Sequence, residues 1–500
     1  MTIAEYKTMD WRHFPVRNVI KLGLLGFSAG VPILLIFSTL SLWLREAGVE
    51  KSAVTYFSWA ALGYSFKFVW APIVDKLPVP GLSVWLGRRR GWLLLSQFAV
   101  VGSIVWMASI DPQHSLQAMA FGAIALGFSS ATQDVVIDAF RIEVADKNQQ
   151  ALLSSSYIAG YRIGMVVAGA GALYLADILG SDMGNYSYSA WQTTYWLMAV
   201  VMGVGILTTL LIKEPAISDK HDYRYSIEEY SRFFVLFLVS VATLIGVFWH
   251  FPDVSFGFTG VAEKLEIFIL GCLQMSLAIG FAIAVGMLGA RLGFASQQMV
   301  MESYVAPVAD FFKQYGKLAL WILLLIGFYR VSDIVMGVIS NVFYQDMGYS
   351  KSQIASITKV FGLLMTIAGS FIGGFLSLKF GVMRVLLIGG VLAAFTNLLF
   401  MWLANAEPTM EALTLVIAID NLSAGLAVAA FVAWLSSLTS VSFTATQYAI
   451  FSSVMTLFPK LLGGYSGKIV ESVGYDQFFL FTTFLGFPVI LLIIFILKKS

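Results

Sequence analysis

The chain of 500 residues is 58% hydrophobic and only 12% charged, with a mean hydropathy of +0.81. A soluble domain carries about twice that charged share, so the composition excludes a soluble globular protein and places the chain in a lipid bilayer. The net charge of +2 points to no nucleic acid, and the single cysteine, Cys272, can form no intramolecular disulfide.

An apolar stretch of about 20 residues can cross a hydrocarbon core about 30 Å thick. Fourteen such stretches begin near Val19, Ala53, Gly91, Ser115, Ala151, Thr193, Phe233, Leu265, Leu318, Ser352, Met383, Leu413, Thr446 and Gln477. The first runs from Val19 to Trp43 with no small-residue cleavage pattern, so it reads as a retained helix and not a signal peptide. With the N-terminus set in the cytoplasm, Lys and Arg collect on the inner side, as at Arg12, Lys21, Lys76, Arg88 to Arg90, Lys213, Arg291, Lys379 and Arg384. Only Arg45, Lys51, Lys264, Lys351 and Lys468 fall outside. This asymmetry orients the chain and demands an even number of spans, with both termini cytoplasmic.

An internal repeat gives the organisation. Gly48, Lys51 and Ser52 recur as Gly348, Lys351 and Ser352 after the first span of each half, and Gln150 to Ser155 is echoed by Gln447 to Ser453. The expected architecture is all-α and polytopic: a six-helix half over residues 1–213, a linker with two inserted helices over 214–316, and a second six-helix half over 317–500. Gly374, Lys379, Gly381 and Arg384 resemble the loop signature of major facilitator proteins, with Leu378 where the acid is expected. In the first half Asp75, Lys76, Gly87, Arg88, Arg89, Arg90 and Gly91 keep the acid and the basic run across an insertion containing Pro78 and Pro80. The basic run reads either as a topology anchor or as a conformational latch pairing with Asp75 or a helix C-terminus. In a facilitator fold the halves are related about the membrane normal and the solute binds between them.

Ionisable groups inside spans are costly unless they face a partner or water, which makes them candidate functional groups. They are Lys67, Asp134, Asp138, Arg162, Arg330, Asp333, Lys359, Asp420 and Lys460. Asp134 and Asp138 lie one turn apart on a helix face, with Arg141 following on that face. If Arg141 matches one acid, its neighbour is left to take up and release a proton. The competing reading is a static network of Asp134, Asp138, Arg141 and Arg162 tying two helices together. Arg330 and Asp333, spaced i and i+3, are expected to pair. Lys67 and Lys359 have no acid within a helical turn and, with Arg162 and Lys460, give the expected cavity a basic character suited to an anionic solute. The aromatics Trp43, Tyr64, Trp70, Tyr157, Tyr161 and Trp434 are candidates for stacking on sugar rings, although most aromatics of such a chain are packing or interfacial residues. His13, His114, His221 and His250 are scattered, so no metal site is expected. There is no phosphate-binding GxxxxGK[ST] loop, and transport driven by a gradient is expected in place of ATP hydrolysis or any enzymatic chemistry.

Several segments resemble the AmpG-type muropeptide permeases. They are Gly26 to Pro32, Trp43 to Gly48, Lys67 to Asp75, Gly87 to Trp92, Gly160 to Gly164 and Thr444 to Ala449; the most specific is Ser130-Ala-Thr-Gln133-Asp134-Val-Val-Ile-Asp138-Ala. The resemblance implies a multi-pass inner-membrane permease that imports anhydromuropeptides, GlcNAc linked to 1,6-anhydro-MurNAc with or without a stem peptide, by proton symport. It implies a place in peptidoglycan recycling and an indirect link to β-lactamase induction and antibiotic resistance. Function as a monomer is expected by analogy with facilitators, and no cofactor is. The expected proton-coupling residues are Asp134, Asp138 and Arg141; the expected solute-binding residues are Tyr64, Lys67, Trp70, Gln133, Tyr157, Tyr161, Arg162, Lys359, Trp434 and Lys460. Two alternatives are a related facilitator permease for another anionic solute, acyl-CoA-like or drug-like, and a sensor of wall fragments that moves nothing.

Overall fold

A computed structural model covers residues 16–50, 57, 62–144, 149–182, 184–216, 225–250, 261–349, 351–463 and 466–499; for some residues within helices, among them Lys359 and Lys460, it describes the backbone alone. The described chain is helical and has no β-strand. Twelve of the described helices are long and apolar enough to cross a membrane. Two of the fourteen expected stretches are not among them. Of the stretch near Ala53, residues 51–56 and 58–61 lie outside the described residues, and its later part forms three short pieces, Leu62–Phe66, a 3-10 turn at Lys67–Val69, and Ala71–Lys76. The stretch near Thr446 is helical over Thr444–Gly463 and contains Pro459. A proline inside a helix removes a backbone hydrogen bond.

The chain forms two compact units. One comprises His221–Lys313 with Asp75–Leu77. Its helix Ile227–Trp249 opens on a capping box, in which the Ser226 hydroxyl accepts the Glu229 N–H and the Glu229 carboxylate accepts the Ser226 N–H. That exchange satisfies two of the donors a helix start leaves open. Gln274 of helix Val261–Arg291 donates to the Phe248 carbonyl at 2.6 Å, joining the two long helices of this unit.

Nine helices of the larger unit place the site: α1 (Val16–Ile36), α2 (Arg88–Ala108), α3 (Leu116–Glu143), α4 (Gln150–Val166), α5 (Leu318–Phe328), α6 (Val331–Asp346), α7 (Gly362–Phe380), α8 (Met410–Leu438) and α9 (Thr444–Gly463). Helices α1 and α4 touch backbone to backbone through Gly26 and Gly30 on one and Gly160 and Gly164 on the other. A Cβ on Gly160 would stand 1.8 Å from the Gly23 carbonyl oxygen, and one on Gly30 2.0 Å from that of Tyr161. Apolar helices gain nothing from leaving lipid for each other, so contact this close supplies the dispersion that holds them. Gly160→Ala is therefore expected to destabilise the purified protein by about 1–3 kcal/mol through overpacking; thermal melting in detergent measures it.

Helix α2 starts at Gly87, whose φ of +91° turns the chain sharply into the helix. Its first amides are capped from afar: the Glu214 carboxylate accepts the N–H of Arg89 at 2.7 Å and of Arg90 at 3.0 Å. An anion at this position also complements the helix dipole. The regions before and after the 221–313 unit meet where Ser155 of α4 donates to the Ser370 carbonyl of α7 at 2.7 Å.

Candidate transport site

The site is built around α3. Its one-turn spacing puts Asp134, Asp138 and Arg141 on one buried face, and the short turn Lys67–Val69 brings Lys67 against them. Lys67 Nζ is 3.6 Å from Asp138 Oδ2, and Arg141 Nη2 is 3.3 Å from Asp138 Oδ1. Asp138 is thus bridged by two cations, and Lys67, expected to face the solute, is committed to an acid on a neighbouring helix. Arg141 is fully buried. Its Nη1 donates to Ser154 of α4 and to Ser436 of α8, both at 2.8 Å, and its guanidinium lies 5.2 Å from the centre of the Tyr448 ring. One side chain therefore ties α3 to both α4 and α8.

Asp134 is placed differently. It is buried, faces Lys67, Asp138 and Tyr157, and its Oδ1 has no hydrogen-bond partner. The Tyr64 hydroxyl is buried and has no hydrogen-bond partner among the described residues. Gln133 is wholly buried, and neither polar atom of its amide is bonded. A buried amide left open on both sides costs free energy unless a hydroxyl, an amide or water completes it.

The aromatic residues divide. Tyr157 and Tyr161 lie with ring centres 6.0 Å apart on α4 and are partly open. The tryptophans are packing groups. Trp70 donates to Thr132 at 3.1 Å and packs on Phe128 at 4.5 Å, Trp43 stacks on Trp191 at 5.6 Å, and Trp434 is buried against Phe431. None of the three presents an open face to a sugar ring. Arg162 does not join the α3 network; its guanidinium touches Met165 Sδ at 3.9 Å. Asp333 lies in the field of Arg330, but no ion pair closes between them, although the spacing suggested one. The side chains of Lys359 and Lys460 lie outside the described residues.

A second polar cluster was not foreseen at its key acid. Glu143, two residues past Arg141, is buried beneath Arg88 and Arg89, with Arg89 in bidentate contact and Arg88 Nη2 at 3.8 Å. Arg89 Nη2 also donates to the Thr444 hydroxyl of α9 at 2.8 Å, and that hydroxyl donates to Glu143. Arg90 caps the C-terminus of helix Gly203–Leu211 through the carbonyls of Thr209 and Leu210. A buried cation pair needs an acid; beside the Asp75 that the sequence offered, the fold supplies Glu143.

Comparison with known proteins places this architecture. The family model of the Major Facilitator Superfamily matches residues 22–309 and 318–500. A Rickettsia felis protein named as transporter AmpG 4 is 32% identical over 482 residues, covering 96% of this chain and 97% of that one. The chain belongs to the Major Facilitator Superfamily, among its AmpG-type members. It is a multi-pass membrane transporter and not an enzyme. The Escherichia coli K12 anhydromuropeptide permease is 28% identical to it over 473 residues, covering 94% of this chain and 78% of the permease. The fold of the transporter also resembles the solved structure of the proton:xylose symporter XylE, with a TM-score of 0.60 at 12% identity over 96% of this chain and 95% of that one.

Proposed function

We propose that the transporter imports anhydromuropeptides across the inner membrane by proton symport, with the Arg88–Arg90 end in the cytoplasm. The observation that carries the solute class is the likeness, over nearly the whole chain, to a permease named for that solute. The site is suited to it. Gln133 offers an unpaired amide for sugar hydroxyl or acetamido groups, and Tyr157 and Tyr161 offer partly open rings.

Coupling follows from the unequal placement of the two acids. Asp138 is held between Lys67 and Arg141, whereas Asp134 shares the field of Lys67 and has a free oxygen. A proton on Asp134 leaves Lys67 wholly to Asp138; loss of that proton draws Lys67 between two carboxylates. The α3 face thereby has two charge states, each with its own arrangement of Lys67, and Arg141 transmits the difference to α8 through Ser436. A single chain suffices for this cycle.

The test is uptake of labelled GlcNAc-1,6-anhydro-MurNAc-tripeptide by proteoliposomes under an imposed inward proton gradient. Accumulation that collapses with a protonophore is expected. No uptake by folded protein would turn the assignment to a related permease for another anionic solute.

A further inference from the structure

The guanidinium of Arg141 lies against two tyrosine rings, 6.0 Å from the centre of Tyr157 on α4 and 5.2 Å from that of Tyr448 on α9. One ring comes from each half of the repeat. A desolvated cation within about 6 Å of a ring face is held by the ring quadrupole, and here Arg141 is wholly buried and Tyr448 nearly so. Ser436 of α8 adds a second contact from the same half, accepting from Nη1 at 2.8 Å. These two groups hold Arg141 short of its own acid. Nη2 stops 3.3 Å from Asp138 Oδ1, whereas a closed bond between charged groups measures about 2.7–2.9 Å. Lys67 stands 3.6 Å from the other oxygen. Asp138 is thus shared by two cations, neither fully closed on it, and the position of Arg141 decides how much of the acid is left to Lys67.

We propose that Tyr448 is a positioning residue for coupling, holding Arg141 partly off Asp138 for as long as the two halves meet at this level. The role rests on the reading of Asp134 as the proton carrier and gives that reading a direction. With the halves together, Tyr448 and Ser436 share Arg141, Lys67 stays on Asp138, and Asp134, one turn along the same face, keeps its proton. When the halves part here, Tyr448 and Ser436 leave with the second half. Arg141 then closes on Asp138, and its Nε, buried without a partner, supplies a second donor for that closure. Lys67 is released to Asp134, whose proton passes to water at the Arg88–Arg90 end while the ammonium takes its place. The coupling is reciprocal: a proton on Asp134 keeps the empty transporter shut at this end, so it does not carry protons without solute. Beside Lys67 and Asp138, the ionisable groups in the field of Asp134 are Tyr64, Tyr157, Tyr161 and Tyr448, phenols that stay neutral below about pH 10.

The experiment needs no solute. Spin labels at Val84 and Phe380, in the full chain with Cys272→Ser, give the ratio of short to long distances at the Arg88–Arg90 end on an acid and an alkaline plateau. In wild type the ratio is expected to fall about tenfold or more from acid to alkaline pH; a ratio that does not change with pH overturns the proposal. Asp134→Asn is expected to abolish the fall. Tyr448→Leu, which removes the ring, is expected to cut it to less than about threefold, whereas Tyr448→Phe keeps the ring and the wild-type fall. A ring that merely glues the halves would behave otherwise: Tyr448→Leu would move both plateaus by one factor and leave the fall intact, and that result overturns the positioning role. So does a fall lost equally in Tyr448→Phe. Ser436→Ala, a smaller change, is expected to reduce the fall too, and a wild-type fall there overturns the proposal even where Tyr448→Leu does not fold. Uptake of labelled muropeptide by the same proteins separates the two readings. The expected distances in a wild type that takes up no muropeptide keep the role of Tyr448 and sink the muropeptide reading; uptake with distances indifferent to pH sinks the role of Tyr448 alone.

Discussion

Asp134→Asn is expected to abolish proton-driven accumulation while leaving solute counterflow and thermal stability close to wild type. The free Oδ1 of Asp134 means that an amide there breaks no hydrogen bond of that atom, and the Lys67 ammonium keeps Asp138. What is lost is the group that can carry a proton. Asp138→Asn is expected to behave otherwise, because it strips the acid from two buried cations at once. Removing one member of a buried ion pair costs about 3–5 kcal/mol, so this variant should both fail to accumulate solute and melt well below wild type. Adding Lys67→Met removes one uncompensated charge, and the double variant should regain stability without regaining accumulation. Counterflow separates coupling from binding, and melting separates both from folding. Accumulation by Asp134→Asn at the wild-type level would refute the assigned proton carrier.

The spans and the face shared by Asp134, Asp138 and Arg141 were legible because both are local: hydrophobic length and helical period act within one segment. The second stretch was not, since Leu62 to Lys76 breaks into three short pieces around Trp70, where Lys67 is directed at α3. Lys67 looked free because no acid lies within a turn of it, and the acid it meets is some seventy residues away in sequence. The same blindness to tertiary distance hid Glu143 from Arg88 and Arg89. At Arg330 the error ran the other way: i, i+3 spacing suggested a local pair with Asp333, but spacing permits a contact without requiring it. The aromatic residues show a further limit. Composition marks Trp43, Trp70 and Trp434 as ring-stacking candidates, yet each fills a packing position, and only a fold decides which side of a helix faces a cavity.

Thr444→Val is expected to shift the transporter toward the conformation open at the Arg88–Arg90 end. The Thr444 hydroxyl accepts from Arg89 and donates to Glu143, so it joins α9 to the ends of α2 and α3. Valine keeps its shape and removes only those bonds. Hydrogen bonds to charged groups contribute about 1.5–3 kcal/mol each, and two conformations of a transporter differ by only a few kcal/mol. Losing the link should therefore change their ratio tenfold or more, about 1.4 kcal/mol being worth a factor of ten. Arg89 and Glu143 remain paired within the first half, so the melting temperature should hardly move. Glu143→Gln is the contrasting case: it opens the same end but also removes the carboxylate that Arg88 and Arg89 contact, and should lower the melting temperature too. Spin labels at Val84, which is 89% exposed, and at Phe380, in a Cys272→Ser background, report the separation of the halves at this end. A longer distance should appear in Thr444→Val and grow in Glu143→Gln. Wild-type distances in both variants would mean that Arg88 to Arg90 anchor topology alone, and that the Arg141–Ser436 and Ser155–Ser370 contacts hold the halves together without the latch.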